Sequence, residues 1–181
     1  WSGVSLLESR EGKGGAVVYI IAVVFVFFIL SILYESFRLP VAIISAVPLA
    51  VLGSLVLIGI MHLINAKYVN DVYMQISIVM LIGIAAKNSI LVVEYASRLQ
   101  ASGKSAFEAT IEAAQLRARP IIMTAFAFIL GTMPLLFATG VYSTARNIMG
   151  TTLVGGMLAA TTVGIVLYPA LYYLINKLTQ R

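Results

Sequence analysis

The chain has 181 residues, of which 61% are hydrophobic and 10% charged, whereas an average soluble domain is about 45–50% apolar and about 25% charged. This composition excludes an ordinary soluble globule and indicates a membrane protein, in which each helical crossing needs about 20 residues. The net charge of +5 favours basic loops at a membrane surface over nucleic-acid binding, and the absence of cysteine excludes a thiolate metal site.

Five stretches of membrane-spanning length follow a polar segment, 1–14, which we expect to be the end of a region belonging to a longer polypeptide. Because lipid cannot satisfy free backbone polar groups, each stretch is predicted to be a helix. Pro48 predicts a kink inside the second stretch. The predicted transmembrane helices are 15–34, 39–66, 72–98, 118–140 and 147–177.

The connection between the third and fourth stretches has a pattern of its own. Ser105 and Glu108 have the spacing of a capping box, which predicts the start of a helix. Apolar residues of this segment fall on one helical face: Phe107, Ile111 and Ala114. We therefore predict a short amphipathic helix, 104–116, on the membrane surface; the alternative is a plain solvated loop.

The basic residues predict the orientation of the chain, because cytoplasmic loops carry an excess of lysine and arginine. Five crossings place the two ends on opposite sides of the membrane. One side carries seven basic residues: Arg38, Arg98, Lys104, Arg117, Arg119, Lys177 and Arg181. The other side carries four: Arg10, Lys13, Lys67 and Arg146. We therefore expect the carboxyl end and the surface helix in the cytoplasm, with the amino end outside.

Lys87 is the basic residue that does not fit this pattern, because it lies inside the third predicted span. It precedes Arg98 by 11 residues, or about 16 Å of helix, which is too far for its side chain to reach water. Glu94 is seven residues on, about 10 Å along the axis, and so too distant for a direct pair. We infer that an anionic partner lies outside this chain; the alternative is a structural anchor facing a water-filled cavity.

Two polar residues at the fourth predicted span are candidates to act with Lys87: one just before the span and one inside it. Arg117 and Thr124 are seven residues apart and so lie on roughly one helical face. Each has a simpler interpretation: Thr124 as a hydroxyl bonded to its own helix backbone, and Arg117, like Arg119, as an anchor beside lipid headgroups. Small residues in the last span predict close helix contacts: Gly155, Gly156, Ala159 and Ala160. The alternative is that glycine occurs there by chance, as is common in membrane helices.

The run 81–96, LIGIAAKNSILVVEYA, resembles the tenth transmembrane helix of resistance-nodulation-division (RND) multidrug efflux transporters, the acriflavine-resistance family. Its Ala-Lys-Asn motif is similar to that of the branch that exports hydrophobic and amphiphilic compounds. Further similar motifs occur in order along the chain: YESF at 34–37, VPLA at 47–50, LRARPIIMT at 116–124, VGGM at 154–157 and YPALY at 168–172.

The resemblance implies helices eight to twelve of a twelve-helix transporter of the bacterial inner membrane, with 1–14 ending a periplasmic region. It implies that an aspartate pair in the amino-terminal half of the same transporter faces Lys87. Thr124, Arg117 and Asn88 would complete a proton relay. The implied activity is drug–proton antiport, driven by the proton-motive force without a cofactor or metal. Implied partners are membrane lipid, two further copies in a homotrimer, a periplasmic adaptor and an outer-membrane channel.

Two alternative functions stay open at this stage. One is a related RND exporter of another cargo, such as lipid or metal, or a member that assists protein export. The other is a membrane scaffold or truncated fragment that transports nothing, in which Lys87 serves packing. The sequence contains no hydrolytic triad, phosphate-binding loop or zinc-ligand spacing, so we do not expect an enzyme.

Overall fold

The computed structural model describes residues 15–35, 37–68 and 71–179. The regular structure of this part of the chain is entirely helical, which confirms the predicted all-α fold. The predicted segment 1–14 lies outside the described residues. The seven helices are α1 Gly15–Tyr34, α2 Arg38–Ile44, α3 Val47–Ile64, α4 Val72–Ala101, α5 Ala106–Leu136, α6 Ser143–Thr162 and α7 Gly164–Thr179.

Three segments of the described residues are long and apolar enough to cross a membrane: Leu39–Ile64, Val72–Ala101 and Ala106–Leu136. A fourth span is formed if α6 and α7 count as one bent crossing. The stretch 15–34, which the sequence predicts as a fifth span, is present as the 20-residue helix α1.

The second predicted span is interrupted where its proline predicts a kink. Helix α2 ends at Ile44 and α3 begins at Val47, which places Pro48 in the first turn of α3. Proline has no N–H to donate and its ring clashes with the carbonyl four residues earlier, here that of Ile44. The Ser45 hydroxyl donates to the carbonyl oxygen of Ala42 at 2.9 Å and helps to close the end of α2.

Helix α5 joins two elements that the sequence predicts to be separate. The predicted surface helix 104–116 and transmembrane helix 118–140 form one helix of 31 residues, so the predicted boundary between them is corrected. Residues 106–119 are mostly alanine, glutamate, glutamine, leucine and arginine, all strong helix formers, and give the helix no reason to stop. The capping box of Ser105 and Glu108 is present at its start, as predicted.

The last predicted span, 147–177, is divided into α6 and α7, which meet at an angle of 57°. Gly164 lies at the bend, and the ring of Tyr168 packs over it: an added Cβ on Gly164 would be 2.5 Å from that ring. The Tyr168 hydroxyl donates to the carbonyl oxygen of Ala160 at 2.8 Å. In an unbroken helix that carbonyl would accept from the Gly164 N–H. Tyr168 therefore stabilises the bend.

Helices α3 and α6 pack closely through small residues, as the sequence predicts. An added Cβ on Gly155 would lie 2.9 Å from the carbonyl oxygen of Gly53, and one on Gly156 would lie 2.9 Å from that of Ala50. Side chains of this size let two helix backbones approach each other, which is a common way for helices to associate in a membrane. The close contact makes α6 a buried helix at the centre of the described bundle.

Candidate functional site

Helix α4 positions the candidate site, because it contacts each of the other six helices. Asp71 caps its start, where the carboxylate accepts from the backbone N–H of Met74 at 2.9 Å. At 30 residues the helix is long enough to cross the hydrocarbon core of a bilayer completely. Lys87 lies at its middle, between the buried pairs Ala85–Ala86 and Asn88–Ser89.

The side chain of Lys87 is exposed on the surface of the described bundle. It makes no hydrogen bond or ion pair with residues 15–35, 37–68 or 71–179. An ammonium group at the centre of a helix that crosses a bilayer costs at least about 2.5 kcal/mol when it faces lipid. The geometry therefore leaves Lys87 facing away from the described bundle.

Asn88 is the next residue along α4 but does not share the face of Lys87. Its side chain is 3% exposed, and its amide nitrogen has no hydrogen-bond partner among the described residues. Consecutive residues of an α-helix point about 100° apart, which explains why Lys87 is exposed while Asn88 lies between helices. The structure does not bring the two side chains together on one surface.

Arg117 of α5 reaches back to α4 and stacks on an aromatic ring. Its guanidinium carbon lies 4.6 Å from the centre of the Tyr95 ring, within the range of a cation–π contact. The side chain is half-buried, and its Nε atom is buried without a hydrogen-bond partner in the described part of the chain. The contact joins α4 to α5 on the carboxyl-terminal side of Lys87.

Arg117 and Tyr95 border a small cavity of about 80 Å³, together with Leu91, Glu94 and Arg98. The carboxylate of Glu94 pairs with the guanidinium of Arg98 at 2.5 Å and interacts with the hydroxyl of Tyr34 on α1. The charge of Glu94 is thus directed toward the helix end and α1. This arrangement agrees with the sequence argument that Glu94 does not pair with Lys87.

Thr124 is exposed, and its hydroxyl donates to the carbonyl oxygen of Ile121 at 3.0 Å. This is the bond to its own helix that the simpler interpretation of Thr124 predicts. The hydroxyl oxygen nevertheless keeps lone pairs with which it can accept a hydrogen bond from a cation.

The Arg117–Tyr95 contact defines how α4 and α5 lie side by side. The two helices are consecutive, joined by a short turn, and pack against each other in opposite directions. Thr124 lies seven residues after Arg117 along α5, and Asn88, next to Lys87, lies seven residues before Tyr95 along α4. Each of these separations is about 10 Å of helix. Thr124 is therefore level with the Lys87 turn, and the candidate residues occupy two levels of one helix pair.

Two contacts of this site are absent from the sequence interpretation. The Glu94–Arg98 pair has the i, i+4 spacing that stabilises helices, so the sequence does carry a signal for it. The stacking of Arg117 on Tyr95 joins residues 22 positions apart on different helices, and no spacing rule within one helix predicts it.

These features define a class of protein: an all-α membrane bundle in which helix α4 presents a lysine on the bundle surface, without a partner among the described residues. The profile of the AcrB/AcrD/AcrF family matches residues 1–176. The chain belongs to this family, which confirms the resemblance to RND multidrug efflux transporters.

Individual relatives are similar over almost the whole chain. The toluene efflux pump membrane transporter TtgB of Pseudomonas putida is 39% identical over 178 residues, 98% of this chain and 16% of TtgB. The multidrug resistance protein MdtF of Escherichia coli is 41% identical over 182 residues, 100% of this chain and 17% of MdtF. The multidrug export protein AcrF, also of Escherichia coli, is 40% identical over 178 residues, 98% of this chain and 17% of AcrF. The chain thus spans about a sixth of each relative.

Proposed function

We propose that the chain forms the lysine-bearing side of the proton-coupling region of an RND drug–proton antiporter that exports hydrophobic and amphiphilic compounds. The observation that carries this proposal is Lys87: a cation at the middle of an apolar helix, exposed on the bundle and without a partner among the described residues. Such a group needs a counter-charge, and the family resemblance supplies one in the aspartate pair of the amino-terminal half.

Protonation of that aspartate pair would act on Lys87 as an electrostatic switch. While the aspartates are ionised, they hold the ammonium in an ion pair; a proton that neutralises one of them removes most of the attraction. Lys87 then turns toward the hydroxyl of Thr124, which is level with it on α5. One proton moving down 100 mV supplies about 2.3 kcal/mol, which shifts a two-state equilibrium by more than tenfold.

The full transporter would be a homotrimer in the bacterial inner membrane, with the amino end of this chain periplasmic and the carboxyl end cytoplasmic. A periplasmic adaptor and an outer-membrane channel would complete the export path. Energy would come from the proton-motive force, so the protein would act as a secondary transporter and need no cofactor. The names of TtgB, MdtF and AcrF, which refer to toluene efflux, multidrug resistance and multidrug export, support the export function.

Substitution of Lys87 tests the proposal in the full-length transporter. Lys87→Ala should abolish proton-coupled efflux in proteoliposomes while the protein still inserts and assembles. Lys67→Ala is the matched control, because Lys67 is also exposed but lies in the turn after α3, outside the membrane-spanning helices. It should leave efflux unchanged. Undiminished efflux by Lys87→Ala would refute the coupling role and favour a scaffold function for this helix.

The cargo class is tested separately from the coupling. In wild-type proteoliposomes with an imposed pH gradient, a hydrophobic dye should cross the membrane in one direction while protons cross it in the other. Proton release coupled to a lipid or a metal ion, with no response to the dye, would instead assign the chain to an exporter of another cargo.

A further inference from the structure

We propose that Tyr95 is the positioning residue for Arg117: its ring holds the guanidinium in place on α4 and keeps it available to the proton-coupling region. The inference rests on the proposed role of Arg117 in proton coupling. It assigns to Tyr95 a specific task, which a conservative aromatic substitution preserves and an aliphatic one removes.

The first support is the contact itself. The guanidinium of Arg117 lies over the face of the Tyr95 ring, with 4.6 Å between its central carbon and the ring centre. Arginine stacks on aromatic faces through both its charge and its planar shape, and the interaction strengthens where water is excluded. Arg117 is half-buried, so part of that desolvation is in place.

The second support is that nearby acidic charge is already engaged. Glu94 borders the same cavity as Arg117, but its carboxylate pairs with Arg98 one turn further along α4. Within the part of the chain that the structure describes, Arg117 forms no ion pair, and its Nε is buried without an acceptor. Among the described residues, the ring of Tyr95 is thus the group that holds the Arg117 guanidinium in position.

The third support is the arrangement of the two helices. With Arg117 stacked on Tyr95, Thr124 is level with the Lys87 turn about 10 Å further along the helix pair. Loss of the ring would release a long side chain beside Glu94, the carboxylate on the same cavity. Arg117 would then share the Glu94 carboxylate with Arg98, and this position would compete with the coupling position. Tyr95 therefore determines which of two positions Arg117 occupies.

Efflux measurements on the full-length transporter test this assignment. Tyr95→Leu removes the aromatic face and should lower the initial rate of proton-coupled efflux by about twofold to thirtyfold, the population change that a cation–π contact supplies. Tyr95→Phe keeps the face and should remain within twofold of the wild type. Tyr173→Leu is the control, because it removes a cation–π contact to Lys177 elsewhere in the bundle, and it should leave the rate unchanged.

A double substitution distinguishes positioning of Arg117 from a general packing effect. Arg117→Lys keeps the charge but loses the planar group, so Tyr95→Leu should cause a smaller additional loss in that background than in the wild type. The proposal is overturned if the two losses multiply, if Tyr95→Phe is as damaging as Tyr95→Leu, or if Tyr173→Leu causes an equal loss.

Arg117→Ala separates this inference from the proposed function. If that variant is inactive while Tyr95→Leu transports at the wild-type rate, Arg117 acts in coupling but Tyr95 does not position it. If Arg117→Ala itself transports at the wild-type rate, the coupling role of Arg117 is refuted and the role assigned to Tyr95 falls with it.

Discussion

The close approach of α3 and α6 predicts that Gly53→Ala destabilises the bundle. An added Cβ at Gly53 would lie 2.2 Å from the Cβ of Ala159 and 2.8 Å from the carbonyl oxygen of Gly155. Both distances are far below van der Waals contact, and one of the two neighbours is backbone, which has no rotamer to change. The helices would have to move apart along the closely packed interface.

The expected cost follows from two opposing contributions. Forcing an extra carbon into a packed interior costs about 1–3 kcal/mol. Replacing a helical glycine by alanine contributes about 0.5–1 kcal/mol of stability, because alanine loses less backbone entropy on folding. We therefore expect Gly53→Ala to lower the free energy of unfolding by up to about 2.5 kcal/mol overall.

Gly59→Ala on the same helix is the matched control. An added Cβ at Gly59 would meet no other atom within 4 Å, so this substitution gains the helix contribution without the clash. Unfolding of the two full-length variants in detergent micelles, followed by circular dichroism, should differ by about 1–3 kcal/mol, because the helix contribution is common to both and cancels.

Equal stability of the two variants would refute the packing argument, since it would mean that α3 and α6 do not approach as closely as described. A second substitution gives an independent test. Combining Gly53→Ala with Ala159→Gly removes the 2.2 Å contact but retains the 2.8 Å contact to the Gly155 carbonyl. The double variant should therefore recover part of the loss, which would be measured as non-additivity of the two substitutions.

Three further substitutions test other contacts. With its amide nitrogen turned toward the end of α5, Asn147 donates to the carbonyl oxygen of Leu135 at 2.9 Å. Asn147→Ala should therefore lower the free energy of unfolding by about 1–3 kcal/mol in the same assay. An unchanged free energy of unfolding would contradict this bond. Tyr168→Phe leaves the Ala160 carbonyl without its hydroxyl donor and should lower the free energy of unfolding by a similar amount, about 1–3 kcal/mol. An unchanged unfolding transition would show that the bend does not need this hydrogen bond. Thr124→Ala should reduce but not abolish efflux, because Lys87 loses one acceptor; a wild-type rate would reduce Thr124 to its backbone bond.

Features with a local cause are predictable from the sequence. The start of α5 at Ser105 and the break before Pro48 each depend on residues within one helical turn, whose backbone chemistry is the same in any fold. The length of α5 is not predictable in this way, because the change from charged to apolar composition near residue 117 resembles a helix boundary. Composition determines where a helix meets lipid, but the backbone continues as long as its residues favour helix.

Features that depend on contacts between helices are beyond such local rules. The bend at Gly164 is five residues from Pro169 and is held by Tyr168, whose packing is visible only in three dimensions. For the candidate site, the isolation of Lys87 follows from its distance to each acid along the chain. The Arg117–Tyr95 contact depends on how far α5 is shifted along α4, which no pattern within a single helix specifies.

The unbroken course of α5 has a mechanical consequence. Its 31 residues measure about 46 Å, whereas the hydrocarbon core of a bilayer is about 30 Å thick. Even with some tilt, part of this rod must stand in the headgroup region or in water. Pro120 lies between Ala106 and Thr124 and has no N–H with which to bond the carbonyl oxygen of Leu116. A push or rotation applied to Ala106 outside the lipid can therefore be converted into bending at Pro120 before it reaches Thr124, about 27 Å away.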